Sequence, residues 1–274
     1  MEKIIRTVDE AKGIVQVTTV DERWYIKPET DKASGLPSII TVPSVSWISG
    51  FYPKGIAFYK WLAEKGWNEA EALKQAAGDK GSKVHKAVEA LINGAEVKMD
   101  SKFTNPSTGQ EEELSLSEYE CLMSFVNWFK EVKPEVISAE QIVWNDQHNY
   151  AGTMDLLCKI GGETYLIDFK TGQYVWPEYE LQISAYKHAL PNNENIKLAI
   201  LQLGYRRNKN GYKFTDMDDK FHLFLAAKQI WENETAGQTF RQKDYPMVLA
   251  LANNTASAEK PTATKATGKK AKAE

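Results

Sequence analysis

The chain has 274 residues, 42% hydrophobic and 26% charged, with a net charge of −3. That is ordinary globular composition, which excludes disorder throughout and allows one large domain or two small ones. No apolar run reaches the roughly 18 residues of a membrane span, and the first residues lack a signal peptide's apolar stretch, so a cytoplasmic protein is expected. Two cysteines, Cys121 and Cys158, are too few for a disulfide framework or a four-cysteine metal site. The acidic balance argues against a general coat of positive charge for nucleic acid.

Taken in chain order, 14–20, 23–26 and 38–48 predict short strands with Pro and Gly breaks between them. Residues 55–65 predict a helix. So do 79–92, where Val84, Ala87, Val88, Leu91 and Ile92 recur at helical spacing and Asn93-Gly94 supplies a stop. Residues 100–116 are polar and read as a loop. Ser117, with Glu120 three residues on, predicts a capping box for a helix whose apolar face is Leu122, Phe125, Val126 and Phe129. From 136 the pattern turns to sheet. Strands are predicted over 136–144, 150–160 and 163–170, the last two joined by Gly161-Gly162. A helix over 177–190 carries Pro177 early and ends at Pro191. A strand over 197–205, an edge strand over 212–218 and a helix over 219–234 follow. This order predicts an α/β fold, a mixed sheet with helices packed on it. Residues 255–274 hold five lysines, two glutamates and no large apolar side chain. A disordered tail is expected there, either a solubilising end or a weak electrostatic tether for nucleic acid.

The Gly161-Gly162 hairpin carries the chemistry. A two-residue loop places Asp155 directly opposite Asp168, with Lys170 projecting from the same face. The other face is apolar: Met154, Leu156, Cys158 and Ile160 against Tyr165, Ile167 and Phe169. Like charges directly opposite are destabilising, so the pair needs a reason. The carboxylates could share a proton, bind a hard divalent cation, or be bridged by Lys170 as a structural network. Helical spacing also puts Gln182 with Tyr186, and His85 with Glu89, on common faces.

These residues together resemble the PD-(D/E)XK nuclease superfamily. The pattern is Gly152-Thr153-Met154-Asp155, then Asp168-Phe169-Lys170-Thr171-Gly172, then Gln182 and Tyr186, with His85 upstream. It is most similar to the RecB-type exonuclease branch, which includes phage exonucleases and the mitochondrial genome maintenance exonuclease. Leu36-Pro37-Ser38 through Trp61, and Gly81 to His85, also resemble that group. The resemblance covers about 36–205, and its combined motif is specific where single pieces are not.

The resemblance implies a restriction-endonuclease-like core over 79–250, preceded by a β/helical region over 1–78 with a helical extension and followed by a tail over 251–274. It implies Mg2+ or Mn2+ held by His85, Asp155, Asp168 and the Phe169 carbonyl, with Glu140 as a further contact to that shell. Lys170 would activate the attacking water, and Gln182 and Tyr186 would position the site or the phosphate. The motif's proline is absent, since Met154 precedes Asp155, and no iron–sulfur cluster is expected. The implied activity is an exonuclease acting on DNA ends, in phage or bacterial recombination, repair or replication. Its partners would be DNA, single-stranded or with free ends, and a recombination or single-strand-binding protein, with no membrane. The alternatives are an endonuclease of the same fold and a non-catalytic DNA-binding module. Trp47, Phe51, Tyr52, Phe58, Tyr59 and Trp61 are candidates for stacking on single-stranded bases, with core packing as their competing role.

Overall fold

The computed structural model describes residues 4–19, 22–30 and 35–236. The tail expected over 251–274 lies outside the described residues. Among them, no helix is long and apolar enough to cross a membrane.

The chain opens with an antiparallel meander: β1 (Ile4–Asp9), β2 (Ile14–Thr18), β3 (Arg23–Thr30) and β4 (Pro37–Pro43). The N-terminal extension therefore begins as sheet before it becomes helical. The segment 38–48, expected as strand throughout, divides at Ser44. That serine accepts a hydrogen bond from the Trp47 N–H at 3.1 Å and caps α1 (Val45–Ser49), so the local cap overrides the β-type composition. Next come α2 (Ile56–Lys65) and α3 (Trp67–Ile92). α3 starts twelve residues before the helix expected over 79–92 and runs unbroken through 78–79.

The polar stretch expected to be a loop over 100–116 forms a small hairpin, β5 (Lys102–Thr104) with β6 (Glu111–Glu113). The helix after it, α4 (Leu116–Val132), is capped by Ser115, two residues earlier than expected. Ser115 and Glu118 make the reciprocal capping box.

The central sheet has the order β11-β10-β9-β8-β7. Its strands are β7 (Glu135–Asn145), β8 (Tyr150–Ile160), β9 (Glu163–Lys170), β10 (Lys197–Leu203) and β11 (Tyr212–Met217). β9 and β10 run parallel and the other neighbours antiparallel, so the sheet is mixed. The parallel pair needs a crossover, supplied by α5 (Pro177–His188). α6 (Phe221–Glu234) closes the described chain.

One face of the sheet packs Leu156, Cys158, Ile167, Phe169 and Leu201 against Val84, Ala87 and Val88 of α3 and Leu122, Phe125 and Trp128 of α4. α5 packs on β8, β9 and β10. The apolar stripe read at 84–92 and the face read at 122–129 thus meet over the hairpin's apolar side. The N-terminal sheet packs on β7 and the start of β8, with Tyr25 clustered with Ile142 and Ala151. Trp47 stacks edge-on between Trp24 and Trp231, at 5.1 Å from each ring, so it serves packing and not base stacking. α2 buries none of its residues, which leaves Phe58 in ring contact with Tyr59 and with Trp61 near solvent.

Candidate active site

The β8–β9 register is the one a two-residue loop dictates. Leu156 faces Ile167 and Cys158 faces Tyr165, and the paired ladder ends at Leu156 with Ile167, so Asp155 and Asp168 are the residues that immediately follow its last pair. Both carboxylates are buried, at 6% and 1% exposure. Asp155 Oδ2 accepts the Phe169 backbone N–H at 2.6 Å. Its other oxygen, Oδ1, lies 3.2 Å from His85 Nδ1. His85 Nε2 is 3.1 Å from the Phe169 carbonyl oxygen. One imidazole from α3 therefore touches both strands of the hairpin.

Glu140 joins from β7, with Oε1 at 3.7 Å from His85 Nδ1. Its backbone has φ of 48°, a left-handed conformation inside a strand. Such a conformation costs a non-glycine residue about 1–3 kcal/mol and persists only where the surroundings enforce it. Glu89, four residues after His85, takes no part and pairs instead with Lys86 at 2.7 Å.

Lys170 Nζ lies 2.5 Å from Asp168 Oδ2. The ammonium is thus the ion-pair partner of Oδ2, while Oδ1 is buried without a hydrogen-bond donor. The ammonium sits 4.6 Å from the centre of the Tyr179 ring. On α5, Gln182 Nε2 donates to the Tyr186 hydroxyl at 2.8 Å. Tyr186 is buried and packs over Gly152.

The electrostatics follow from crowding charges in a dry place. Burial pushes the Asp168 carboxyl up to about 6; Lys170 opposes that rise and Asp155 adds to it. Burial also pushes Asp155 up, but His85 and Lys170 outweigh it and hold this carboxyl low. Burial pulls His85 and Lys170 down, yet the carboxylates prevail and raise both. Burial raises the Tyr186 phenol well above its ordinary value, so it stays a neutral hydroxyl.

Could these residues hold a divalent metal? Ligand atoms of His85, Glu140 and Asp155 lie within 4.8 Å of one another. The buried Oδ1 of Asp168 and Oε1 of Glu140 lack hydrogen-bond donors, as atoms do that are kept for a cation. Carboxylates and a carbonyl suit a hard ion, and the imidazole suits a borderline one such as Mn2+. The donor set fits.

His85, Glu140, Asp155, Asp168, Phe169 and Lys170 come together here, Gln182 and Tyr186 border them, and Glu89 stays outside. Tyr179 was missed. Its signal lay in the spacing 179, 182, 186, which puts it on the same helical face as Gln182 and Tyr186.

A model of the PD-(D/E)XK nuclease superfamily matches residues 57–248. Among solved structures, the chain is similar to an alkaline exonuclease from Laribacter hongkongensis at 12% identity and a TM-score of 0.35, over 70% of this chain and 86% of that one. A search of the curated proteins finds no match.

Proposed function

The chain belongs to the PD-(D/E)XK nuclease superfamily, and from that premise we propose that it is a divalent-metal-dependent deoxyribonuclease working inward from DNA ends. The observation that carries this reading is the buried Asp155–Asp168 pair, with a lysine and a histidine against it and Asp168 Oδ1 buried without a donor. A purely structural network would satisfy that atom as well. An intact carboxylate pair and lysine also favour an enzyme over a non-catalytic DNA-binding module.

His85, Asp155, Asp168, Glu140 and the Phe169 carbonyl would hold the ion. When bound, Mg2+ or Mn2+ supplies Lewis acidity toward the phosphodiester and its attacking water. The remaining work falls to this chain's own groups. Lys170 carries a proton throughout the neutral range and offers its ammonium to the charge that builds on the phosphate. Tyr179 keeps that ammonium in place through its ring face. Tyr186, held by Gln182, keeps a neutral hydroxyl and would position the site.

The test compares linear with covalently closed circular DNA, with Mg2+, with Mn2+ and with chelator. Linear DNA should be degraded, the circle should survive, and chelator should abolish turnover. Lys170→Ala should lower the rate by about 10²-fold or more, the scale of losing one electrostatic donor. Absence of hydrolysis under every divalent cation would overturn the reading. Cutting of the circle at the linear rate would replace it with an endonuclease on the same fold.

A further inference from the structure

The loop that follows the catalytic lysine exposes two large aromatics. Tyr174 is 63% exposed and Trp176 is 40% exposed, and their rings stand 6.4 Å apart. Tyr174 is four residues past Lys170, so at most about 14 Å of chain separates them. Trp176 precedes the first turn of α5, whose Tyr179 lies against Lys170.

This loop is held firmly. The buried Gln202 of β10 donates to the Gly172 carbonyl at 2.9 Å. Gln173 donates to the Gly204 carbonyl at 2.9 Å and accepts the Arg206 N–H at 3.1 Å. The aromatic loop is therefore fastened to the β10–β11 loop beside it.

That second loop is basic. Residues 204–213 contain Arg206, Arg207, Lys209 and Lys213 and no carboxylate, in a chain that is acidic overall. Arg206, Arg207 and Lys209 are exposed and enter no ion pair among the described residues. The Arg207 guanidinium sits 6.0 Å from the Tyr174 ring centre. Glu131, the carboxylate that reaches this loop, is already engaged by Tyr212 at 2.7 Å and Asn210 at 3.2 Å.

Exposed aromatic faces with cations interleaved are what unpaired nucleic acid uses, because every base has a π-face and every nucleotide a phosphate. A protein partner would call for a broader apolar patch, and a duplex keeps its bases stacked on one another. We propose that Tyr174 and Trp176, with Arg206, Arg207 and Lys209 beside them, form a stacking platform for unpaired bases of single-stranded DNA entering or leaving the active site. This rests on the nuclease reading and deepens it, since it assigns the substrate's single-stranded part to a named surface.

The test uses the full chain with Tyr174 and Trp176 replaced together by Ala or by Phe. Hydrolysis of a fluorescein-labelled oligothymidylate and of a blunt hairpin duplex is measured with Mn2+, and binding of the same probes by anisotropy in chelator. In the Ala variant, KM for the oligothymidylate should rise at least about tenfold, the scale of losing one stacked base. Most of the loss should fall on KM, and the Phe variant should stay near wild type. Arg207→Ala should lower the salt slope of oligothymidylate binding by about 0.7. Thermal melts should be unaltered, because both aromatics are exposed. Unchanged KM and binding in an active Ala variant would overturn the platform and leave the nuclease reading standing. An equal loss on the blunt duplex would overturn its single-strand assignment. If the wild type hydrolyses neither probe, the nuclease reading fails separately; anisotropy then upholds the platform if the Ala variant loses oligothymidylate binding, and overturns it if the wild type binds none.

Discussion

Residue 152 is glycine because Tyr186 occupies the space a side chain would need. A Cβ there would lie 2.5 Å from Cε1 of that ring and 3.3 Å from Cδ1, the first of which no packed structure accepts. Tyr186 cannot swing away, since it is buried and its hydroxyl is held by Gln182. Gly152→Ala should therefore act as overpacking and destabilise by about 1–3 kcal/mol in a urea melt. Its signature is coupling. Tyr186→Ala removes the obstructing ring, so the double variant should lose less than the two single losses added. Strict additivity would show that the ring moves freely and does not constrain this position. The sequence presents Gly152 only as one letter of a motif. Its physical reason depends on α5 being laid across β8, which no local pattern shows.

At the scale of elements, α3 is aimed by a buried ion pair two residues before His85. Lys83 Nζ contacts Glu118 Oε1 at 3.0 Å and Glu112 Oε2 at 3.3 Å, and the side chains of Lys83 and Glu118 are nearly inaccessible. Glu118 also closes the cap of α4 by accepting the Ser115 N–H at 2.7 Å. Lys83→Met would strand that carboxylate, and breaking a buried pair from one side costs about 3–5 kcal/mol. A denaturant melt should show such a loss, with part of it recovered when Glu118→Gln is added. An unchanged midpoint would mean that the cap alone satisfies Glu118. The same pair explains a misplaced boundary. Ser115 and Ser117 each precede a glutamate by three residues, so the sequence offers two equivalent caps. A cation from a distant helix selects the first. The β8–β9 register, by contrast, was legible, because a two-residue Gly-Gly turn leaves it no freedom. The first half of α3 was not, since little but Ala70 is buried there and no stripe marks it. Glu140 was expected at the metal shell through the resemblance, but its left-handed backbone is something no spacing rule predicts.

Over the whole molecule, the central sheet has placed carboxylates where the fold would be better served by neutral groups. Burial raises the Asp168 carboxyl to about 6, above its value in an unfolded chain, so the native state binds the extra proton. Metal-free stability attributable to this group is then full below about pH 4 and declines as pH rises through about 6. Asp168→Asn removes that liability. In chelator near pH 7.5 the variant should melt at or above wild type, and the gap should close as pH falls through about 6. A divalent cation that binds only the native state stabilises it by RT ln(1 + [L]/Kd), so millimolar Mn2+ should raise the wild-type Tm. The variant, short of one ligand and one charge, should respond little and hydrolyse no DNA. The opposing possibility is that Lys170 and Asp168 stabilise the sheet as an ion pair, separated as they are by 2.5 Å. That arrangement requires Asp168→Asn to melt below wild type across the pH range, with an unaltered response to Mn2+. Melts of both proteins at several pH values, with chelator and with Mn2+, separate the two, because the curves converge at acid pH in one case and stay apart in the other.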